Sequence, residues 1–449
     1  MKNLLLINPP IPEFIQNRSF QLPITLMYLS HHIESTLTAN TEIYDFNCID
    51  YTQHIEYNAK YFDYVGITCL FSGMFPFVNE LSKTIKGLNP NTKIIIGGMH
   101  PTIFAKEIIT NCPHIDYVVV GEGEVALRKI ISEDKKLTNI CFRDHNGDVV
   151  LNQGDNSIDI NLLSPPWLSA DKLNFHKYKQ DLSNWVNPKG LKFNISIPLI
   201  TTRGCPNGCN FCSVFRIGGR KIRSRSHISV VNEIEWFFDE YDCNRFSFYD
   251  DNIIAVPNHI ENICKEIIKR KLNIQWETLS GFSINRMTHD IADLMVEAGW
   301  VRSMIPIESG NDHIRNSIMK KNLPREKIFD ITEYIKNKYP WVLLRALFIA
   351  GLPEDTNETL QDTYDMICDL NVDQYRVHDL IPFPGTAIFD QCLKDNLFFE
   401  EVDVKNLWKS YRSDFGTYKG FYIKPYQMTK EDLFYWQDKF EKLIQQKES

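Results

Sequence analysis

The sequence predicts an α/β protein that has two parallel-sheet domains and ends in a helical segment. Two series of short segments rich in Ile, Val and Leu alternate with stretches of helical character. Strands that are apolar throughout, without in/out alternation, are typical of parallel sheets covered on both faces. The chain has 449 residues, which is enough for two or three domains with separate cores.

The first series, in residues 1–125, predicts a doubly wound, Rossmann-like sheet. Its strand candidates are NLLLINPP, TEIYDFN, YVGITCLFS, TKIIIGGMHPT and YVVVGEGE. Ligands of such sheets lie beyond the carboxyl ends of the strands, where glycine lets the backbone approach a ligand closely. The candidate contacts in these loops are Pro9, Pro10, Ser72, Gly97, Gly98, His100, Gly121, Glu122 and Gly123. The glycines would also suit plain tight turns, and no G-x-G-x-x-G in this region indicates a dinucleotide.

The second series, in residues 191–385, predicts six βα units. Its strand candidates are ISIPLITT, RFSFYDD, IQWET, VRSMIPIES, LLRALFIAG and QYRVHDL. Their centres lie roughly 30 to 50 residues apart, which suits βα units of a barrel or partial barrel with its active residues at the strand carboxyl ends. The predicted domains are a first domain (1–140), a linker (141–190), a partial (β/α)6 TIM-like barrel (191–390) and a helical C-terminal cap (391–449).

Three of the eleven cysteines stand close together in GCPNGCNFC, residues 204–212. A structural zinc site takes four ligands, and a closed [4Fe-4S] cluster takes four cysteines. Three thiolates, from Cys205, Cys209 and Cys212, would instead leave one iron of a [4Fe-4S] cluster open to a chelating ligand. A three-cysteine zinc site completed by a distant histidine such as His227 is the alternative.

Polar residues follow several of the predicted barrel strands. Asp250 and Asp251 could bind a ligand or only cap the next helix, and Glu308 could be half of a core ion pair. Residues on the last strand could line a substrate pocket or merely alternate across the barrel wall: Tyr375, Arg376, His378 and Asp379. The basic segment GGRKIRSRS (218–226) suits a solvated loop, a structural role or an anionic group.

Composition excludes some functions. The net charge of −8 gives no general reason to expect nucleic-acid binding, and no apolar stretch has the length of a membrane span. The start, MKNLLLINPP, predicts a buried strand rather than a signal peptide, so we expect a cytoplasmic protein.

Beyond these patterns, the cysteine segment resembles the cluster loop of the radical S-adenosylmethionine (SAM) superfamily. Four later segments are also similar to that superfamily: FYDDN (248–252), IPIESG (305–310), FIAGLPEDTNET (348–359) and IPFPGT (381–386). The front half, with GGMHPT and VVVGEGE, resembles the cobalamin-binding domain that is often fused to these enzymes. Over residues 1–390 the chain therefore resembles the cobalamin-dependent radical SAM enzymes.

The resemblance implies roles for the barrel residues. The three cysteines would ligate the cluster, whose open iron would bind the amino and carboxylate groups of SAM. Phe211 and Gly351 would lie near the adenine, Asp250 and Asp251 near the amino group, Glu308 near the ribose or methionine part, and Lys321 near the carboxylate. In the front domain the D-x-H-x-x-G motif that supplies a cobalt ligand is absent. Cobalamin would then bind without a histidine on cobalt, with His100 as a loop or tail contact, unless the domain has lost cobalamin.

The reaction implied by the resemblance is methylation of an unactivated carbon, or of phosphorus, in a biosynthetic pathway. A 5′-deoxyadenosyl radical would abstract a hydrogen, and methylcobalamin would supply the methyl group. An external donor such as flavodoxin or ferredoxin would supply electrons, and the substrate, a small molecule or a peptide, is not indicated. The alternatives are a radical rearrangement, cyclisation or oxidation, a methylthiotransferase, and a non-catalytic iron–sulfur or cobalamin carrier.

Overall fold

The computed structural model describes residues 1–11, 21–49, 55, 61–155, 157–163, 166–179, 185–192, 195–409 and 421–448. The chain forms two compact units. The first comprises Met1–Gln180 with Arg216–Gly218 and Asp403–Lys419, and the second comprises Asp181–Phe215, Gly219–Val402 and Gly420–Ser449. Within the described residues, no helix is both long enough and apolar enough to cross a membrane.

The first unit is built on a seven-stranded sheet with the order β2-β1-β3-β4-β5-β6-β7. Its strands are β1 (Lys2–Asn8), β2 (Ala39–Asp45), β3 (Tyr64–Thr68), β4 (Lys93–Gly97), β5 (Tyr117–Val119), β6 (Ile140–Arg143) and β7 (Val149–Leu151). Its helices are α1 (Ile24–Thr36), α2 (Phe75–Leu88), α3 (Met99–Ile103), α4 (Ala105–Asn111) and α5 (Gly123–Ile131). Strands β1–β5 are parallel, so the predicted doubly wound sheet is confirmed.

The order of the strands reverses at β1, which has β2 on one side and β3 on the other. Its central residues, Leu4–Ile7, are almost completely buried, as expected for a strand covered on both faces. In open α/β sheets the ligand crevice lies at such a reversal, beyond the carboxyl ends of the strands. The loops after β1, β3, β4 and β5 therefore surround the expected ligand position of this unit.

The first unit extends further along the chain than the predicted boundary at residue 140. Strands β6 and β7 pair antiparallel with β5 and with each other, although residues 141–190 were expected to be a linker. A tight turn joins them, in which Asp144 Oδ1 accepts the backbone N–H groups of Asn146 and Asp148 and Gly147 has φ 87°. Later in the segment, Tyr178 donates its hydroxyl to Asp45 at 2.8 Å. These contacts attach the segment to the first sheet.

The second unit contains a six-stranded parallel sheet with the order β15-β14-β13-β12-β11-β8. Its strands are β8 (Ile197–Leu199), β11 (Arg245–Phe248), β12 (Gln275–Thr278), β13 (Trp300–Glu308), β14 (Leu343–Ala350) and β15 (Gln374–Asp379). Neighbours along the chain are neighbours in the sheet, which confirms the predicted succession of βα units. In the described part of the chain β8 and β15 are edge strands, so the sheet forms a partial barrel rather than a closed one.

Helix α6 (Phe215–Gly218) belongs to the first unit except for its first residue. The helices of the second unit are α7 (His227–Tyr241), α8 (His259–Lys269), α9 (His289–Glu297), α10 (Arg325–Lys338), α11 (Asn357–Asp369), α12 (Ala387–Lys394) and α13 (Lys430–Glu448). Polar N-caps fix several of their starts: Ser226, Thr288, Thr356 and Thr386 each accept a backbone N–H one turn into the helix. Helix α13, expected in a C-terminal cap, packs against β15 and α11, with Trp436 donating its indole N–H to Asn357 at 2.8 Å. It thus joins the helical layer of the sheet.

Candidate cofactor site

The three-cysteine loop is held at its base by a short hairpin. Strand β9 (Thr202–Arg203) precedes the loop and pairs antiparallel with β10 (Arg223–Ser224). Inside the hairpin, the backbone N–H of Cys205 donates to the carbonyl of Gly219 at 3.2 Å. The Arg220 guanidinium donates to the Asn207 carbonyl at 2.6 Å and lies over the Phe215 ring. The loop that carries the thiols is therefore fixed by its own flanking residues.

The three thiols are free and lie near one another. Burial raises the pKa of all three, that of Cys212 to about 11, and each of Cys209 and Cys212 senses the charge of another cysteine in the loop. The positive charge of Lys321 lies close enough to all three thiols to lower their pKa values in part. Among the described residues, no three His, Cys, Asp or Glu side chains already converge as a metal centre. The ligand set is present in one loop, and its role as cluster ligands stays a prediction.

Asp250 anchors the strand that leads into this loop. Its Oδ1 accepts the backbone N–H of Thr201 at 3.0 Å and that of Thr202, together with both threonine hydroxyls at 2.8 and 2.6 Å. Since the Thr201 hydroxyl donates to Asp250, its contact with His259 Nε2 at 2.9 Å must be donated by the histidine. Burial lowers the pKa of His259 to about 4, so the imidazole is neutral. Asp250, predicted near the SAM amino group, thus has a structural role through Oδ1, while its buried Oδ2 has no hydrogen-bond partner among the described residues.

The two residues after Asp250 face the first cysteine. The charge of Asp251 contributes to raising the pKa of the Cys205 thiol, after the larger effect of burial, and Asn252 opposes this by a side-chain hydrogen bond to Cys205. Asn252 also accepts the backbone N–H of Ser283 at 3.4 Å. In the sequence, Asn252 stands out only as the last residue of the segment FYDDN, and no spacing rule indicates that it reaches the cysteine loop.

Glu308 and Lys321, which were predicted separately, form one buried ion pair. Lys321 Nζ lies 2.8 Å from Glu308 Oε1, and both side chains are less than a tenth exposed. Burial alone would lower the pKa of Lys321, but the Glu308 charge, the Cys209 thiol and the hydrogen bond raise it overall. The lysine is therefore held charged between the carboxylate and the cysteine loop. This pair confirms the structural alternative for Glu308 without excluding contact with a ligand.

The backbone around this pair is unusual in two ways. Glu308 has φ 76°, a left-handed conformation that is rare for a residue other than glycine, and the pairing of β13 with β14 shifts register just before it. The segment that returns the chain to Lys321 contains a π-helical turn, His313–Ile318. The buried Arg315 supports that segment by donating to the carbonyls of Ser309 at 2.7 Å and Leu323 at 2.8 Å. Strain and π-turns of this kind concentrate at functional sites.

Phe211 and Gly351, both predicted to lie near the adenine of SAM, are in different parts of the second unit. Phe211 lies in the cysteine loop and is partly exposed. Gly351 follows β14 with φ 86° and donates its N–H to Asp355 Oδ2 at 2.9 Å. A Cβ on Gly351 would lie 3.6 Å from the Phe421 ring and 3.7 Å from Leu433. Glycine at this position thus allows a tight turn that packs against Phe421 and Leu433. Contact of the Gly351 backbone with adenine stays a prediction.

The basic segment 218–226 has partners of its own. Arg225 is buried and forms an ion pair with Glu233 at 2.5 Å, and it donates to the Ile200 carbonyl at 3.2 Å. Arg220 is bound to the cysteine loop as described above. Both arginines therefore support the structural alternative of the three considered for this segment.

In the first unit, His100 joins two loops through both of its ring nitrogens. The ring is buried, with Nδ1 2.8 Å from Ser72 Oγ and Nε2 3.0 Å from the Trp408 carbonyl. Because a carbonyl only accepts, Nε2 carries the proton and Nδ1 accepts from Ser72. Burial lowers the pKa of His100 to about 3, so the ring is neutral. Neither nitrogen is free for a metal in this arrangement, in line with the expectation that His100 is a loop contact.

The glycines of the front loops mostly allow close protein packing. A Cβ on Gly98 would lie 2.5 Å from the Cys69 carbonyl oxygen, one on Gly97 3.7 Å from Val119, and one on Gly123 3.1 Å from Leu29. Gly121, with φ 83°, follows β5, and Glu122 is the N-cap residue of α5. These positions agree with the tight-turn alternative, while the backbone of the same loops still borders the ligand edge.

An exposed apolar residue also lies at this edge. Leu70, in the loop after β3, has 53% of its surface exposed, although the strands beside it are buried. Pro9 and Pro10 follow β1 at the same edge. A large ligand with apolar parts, placed beyond the strands at the reversal of strand order, fits these residues.

Two family models match the chain, one for each sheet. Residues 199–367 match the radical SAM superfamily, and residues 22–131 match the B12 binding domain. The chain thus combines a B12 binding domain with a radical SAM domain, the pairing that defines the cobalamin-dependent radical SAM enzymes. The cofactors of this class are SAM, a [4Fe-4S] cluster and cobalamin.

Similar proteins include several methyltransferases. An uncharacterized methyltransferase of Pyrococcus horikoshii is 28% identical over 391 residues, covering 83% of this chain and 81% of the relative. The cytidylyl-2-hydroxyethylphosphonate methyltransferase of Streptomyces wedmorensis is 26% identical over 373 residues, covering 76% and 68%. The structure of the radical SAM methyltransferase TsrM from Kitasatospora setae, with cobalamin and a [4Fe-4S] cluster bound, aligns over 88% of this chain and 75% of that chain. Its TM-score is 0.68 at 17% identity, which is a likeness of fold.

The described residues fit the cofactors of this class. Three free thiols within one braced loop, beside a buried ammonium group, are the donor set that a cluster with one open iron requires. Thiolate ligands carry negative charge, and Lys321 would compensate part of it. The crevice at the strand-order reversal and the exposed Leu70 suit cobalamin in the first unit.

Proposed function

We propose that the chain is a methyltransferase that methylates an unactivated carbon, or phosphorus, of a biosynthetic substrate. The observation that carries this proposal is the combination, in one chain, of a B12 binding domain with a radical SAM domain whose cysteine loop adjoins the Glu308–Lys321 pair. Methyltransferases are among the relatives, which supports methyl transfer.

The residues of the second unit would divide the work of holding SAM. Cys205, Cys209 and Cys212 would hold the cluster, which together with cobalamin supplies electron transfer and methyl transfer when bound. Lys321 would attract the SAM carboxylate, and the Glu308 oxygen that does not face Lys321 would accept from the ribose hydroxyls or the amino group. Fixed charges in a site closed to water orient a charged ligand without reorganisation.

The reaction proposed here consumes two SAM molecules for each methyl group. One SAM molecule gains an electron from the external donor and a hydrogen atom from the substrate, and it yields methionine and 5′-deoxyadenosine. The other yields S-adenosylhomocysteine and the transferred methyl group. An external donor, of the flavodoxin or ferredoxin type, would supply two electrons for each methyl group. One cleaves the first SAM, and the other joins the substrate radical to the methyl group that leaves the second SAM as a cation.

The test is to assay both SAM products with anaerobically reconstituted protein, SAM, hydroxocobalamin and a strong reductant. We expect the wild type to produce both 5′-deoxyadenosine and S-adenosylhomocysteine. The variant Cys209→Ala should bind no iron and should produce no 5′-deoxyadenosine. Cys368→Ala is the matched control, because Cys368 is an exposed thiol outside the loop, and it should retain both products. 5′-Deoxyadenosine without S-adenosylhomocysteine would refute methyl transfer and support a rearrangement, cyclisation or oxidation. SAM cleavage by Cys209→Ala would refute the assignment of the cluster ligands.

A further inference from the structure

Arginine recurs on one face of the barrel sheet, on three neighbouring strands. Arg345 in β14 pairs with Met304 in β13, and Arg376 in β15 pairs with Leu347 in β14. Directly paired residues share a face of a sheet, and so do residues two apart in a strand. Arg302, two residues before Met304, is therefore on this face as well. The three arginines form a row that advances by two residues from each strand to the next.

The opposite face of these strands is the one that the helices cover. It carries buried apolar side chains such as Phe348, Ile305 and Leu344. In β14 the burial of the side chains alternates, and every residue on the arginine face is only partly buried. The arginine row therefore lies on the inner, concave side of the partial barrel, where its side chains retain exposed surface.

The two outer arginines of the row have acidic partners, whereas the central one has none in the part of the chain that the structure describes. Arg302 lies 3.6 Å from Glu277, and Arg376 lies 2.8 Å from Glu448. Arg345 instead donates its Nε to the neutral amide oxygen of Gln374 at 2.8 Å. Across the described residues, no carboxylate is within ion-pair distance of Arg345. Burial lowers the pKa of Arg345 to about 10, repulsion from Arg302 and Arg376 adds to this effect, and the charge of Glu448 opposes it only in part.

The buried atoms nearby also lack protein partners. Arg302 Nε is buried and has no hydrogen-bond partner among the described residues. Gln275, on the same face in β12, is fully buried, and both its amide atoms are unpaired within the described part of the chain. Buried polar groups without partners are unfavourable, so such an interior favours a polar ligand or ordered water.

The row continues toward the SAM end of the barrel. His378 is two residues beyond Arg376 on the same face, and it senses the charges of Glu308, Arg376 and Arg345. Glu308 is in turn bound to Lys321 beside the cysteine loop. A ligand along this face would therefore have one end at the arginines and the other near Glu308.

We propose that this arginine row binds an anionic group of the substrate, a carboxylate or a phosphate, with Arg345 as the principal contact. The planar guanidinium binds such groups through two parallel hydrogen bonds, and an anion would remove the repulsion within the row. The substrate would thus be fixed at its anionic end while its reacting atom points toward Glu308. This inference rests on the proposed function, because it assigns the substrate class of that same site.

The test is anion binding to the full-length, reconstituted protein, measured by isothermal titration calorimetry. SAM is present throughout, so that its own carboxylate site is filled. The probes are inorganic phosphate and succinate, each compared with sodium chloride at equal ionic strength. The variants are Arg345→Gln, Arg345→Lys and Arg325→Gln. Arg325 is the control, because it is a partly exposed arginine of the outer helix α10 with a distant partner, Asp369 at 3.5 Å.

We expect phosphate or succinate to bind the wild type more tightly than chloride does. Arg345→Gln should weaken that binding by about tenfold or more, Arg345→Lys by less, and Arg325→Gln not at all. Binding of phosphate alone would indicate a phosphorylated substrate, and binding of succinate alone a carboxylic acid. Wild-type protein that binds neither anion better than chloride, or equal losses in Arg345→Lys and Arg325→Gln, would overturn the inference. If Arg345→Gln does not fold, anion binding by the wild type and by Arg345→Lys tests the inference.

SAM cleavage measured on the same wild-type preparation separates the two proposals. Anion binding by protein that makes no 5′-deoxyadenosine would contradict the proposed function alone. Production of both SAM products by protein that binds no anion would contradict the arginine site alone.

Discussion

At the scale of single residues, Glu308 and Lys321 form a buried ion pair that should be sensitive to substitution. Both side chains are buried, so that removal of one partner leaves a charge in a poorly solvated position. The left-handed backbone at Glu308 and the π-helical turn before Lys321 hold the two groups together across 13 residues of sequence. A strained backbone persists only where the surrounding contacts enforce it.

Lys321→Met should therefore lower the free energy of unfolding by about 3 kcal/mol, as is typical when a buried pair is broken. The double variant Glu308→Gln/Lys321→Met should lose less than Lys321→Met alone, because no charge is left unpaired. The measurement is urea unfolding of the cofactor-free protein followed by circular dichroism. Lys442→Met is the control, since the Lys442–Asp438 pair is largely exposed, and it should cause almost no change. Equal stability of Lys321→Met and wild type would contradict the buried pair.

At the scale of elements, the loop between β4 and α3 depends on a single glycine. Gly98 has φ 113° and ψ −172°, a combination that is essentially restricted to glycine. A Cβ there would also lie 2.5 Å from the Cys69 carbonyl oxygen and 2.8 Å from its carbonyl carbon. Both the conformation and the close approach of the two strand-end loops thus require the absence of a side chain.

Gly98→Ala should destabilise the first unit by at least about 2 kcal/mol and weaken the uptake of hydroxocobalamin. Thermal unfolding and the absorbance of bound cobalamin are the two measurements. Gly87→Ala is the matched control, because Gly87 lies inside helix α2 and a Cβ there would meet nothing within 4 Å. It should raise stability by about 0.5–1 kcal/mol. A Gly98→Ala protein as stable as wild type would show that the loop can relax around the new side chain.

The same elements show what the sequence could predict. The five front strands and the six barrel strands were predicted because each is a local run of apolar residues. Strands β6 and β7 were missed: their residues are short and mixed, and only pairing with β5 makes them strands. The cysteine loop was predicted from spacing, whereas the Thr201–Asp250–His259 network depends on residues up to 58 positions apart.

At the scale of the whole molecule, each unit has its own sheet and its own buried core. The charged inner face of the barrel emerges only at this scale, because Arg302, Arg345 and Arg376 come from three strands. In the sequence, each of the three is a single arginine within an apolar segment, and nothing indicates that they lie together. The register of the parallel pairs is what places them on one face.

Because the two sheets belong to separate units, loss of one cofactor should leave the other bound. Cys209→Ala would remove one of the three proposed cluster ligands, which belong to the second unit, whereas the loops proposed to border cobalamin belong to the first. After anaerobic reconstitution with iron, sulfide and hydroxocobalamin, this variant should contain little iron and as much cobalt as wild type. Metal analysis and the cobalamin absorbance provide the measurement, and Cys368→Ala should retain both metals. Loss of cobalt together with iron, in a variant whose far-UV circular dichroism equals that of wild type, would show that cobalamin binding depends on the cluster.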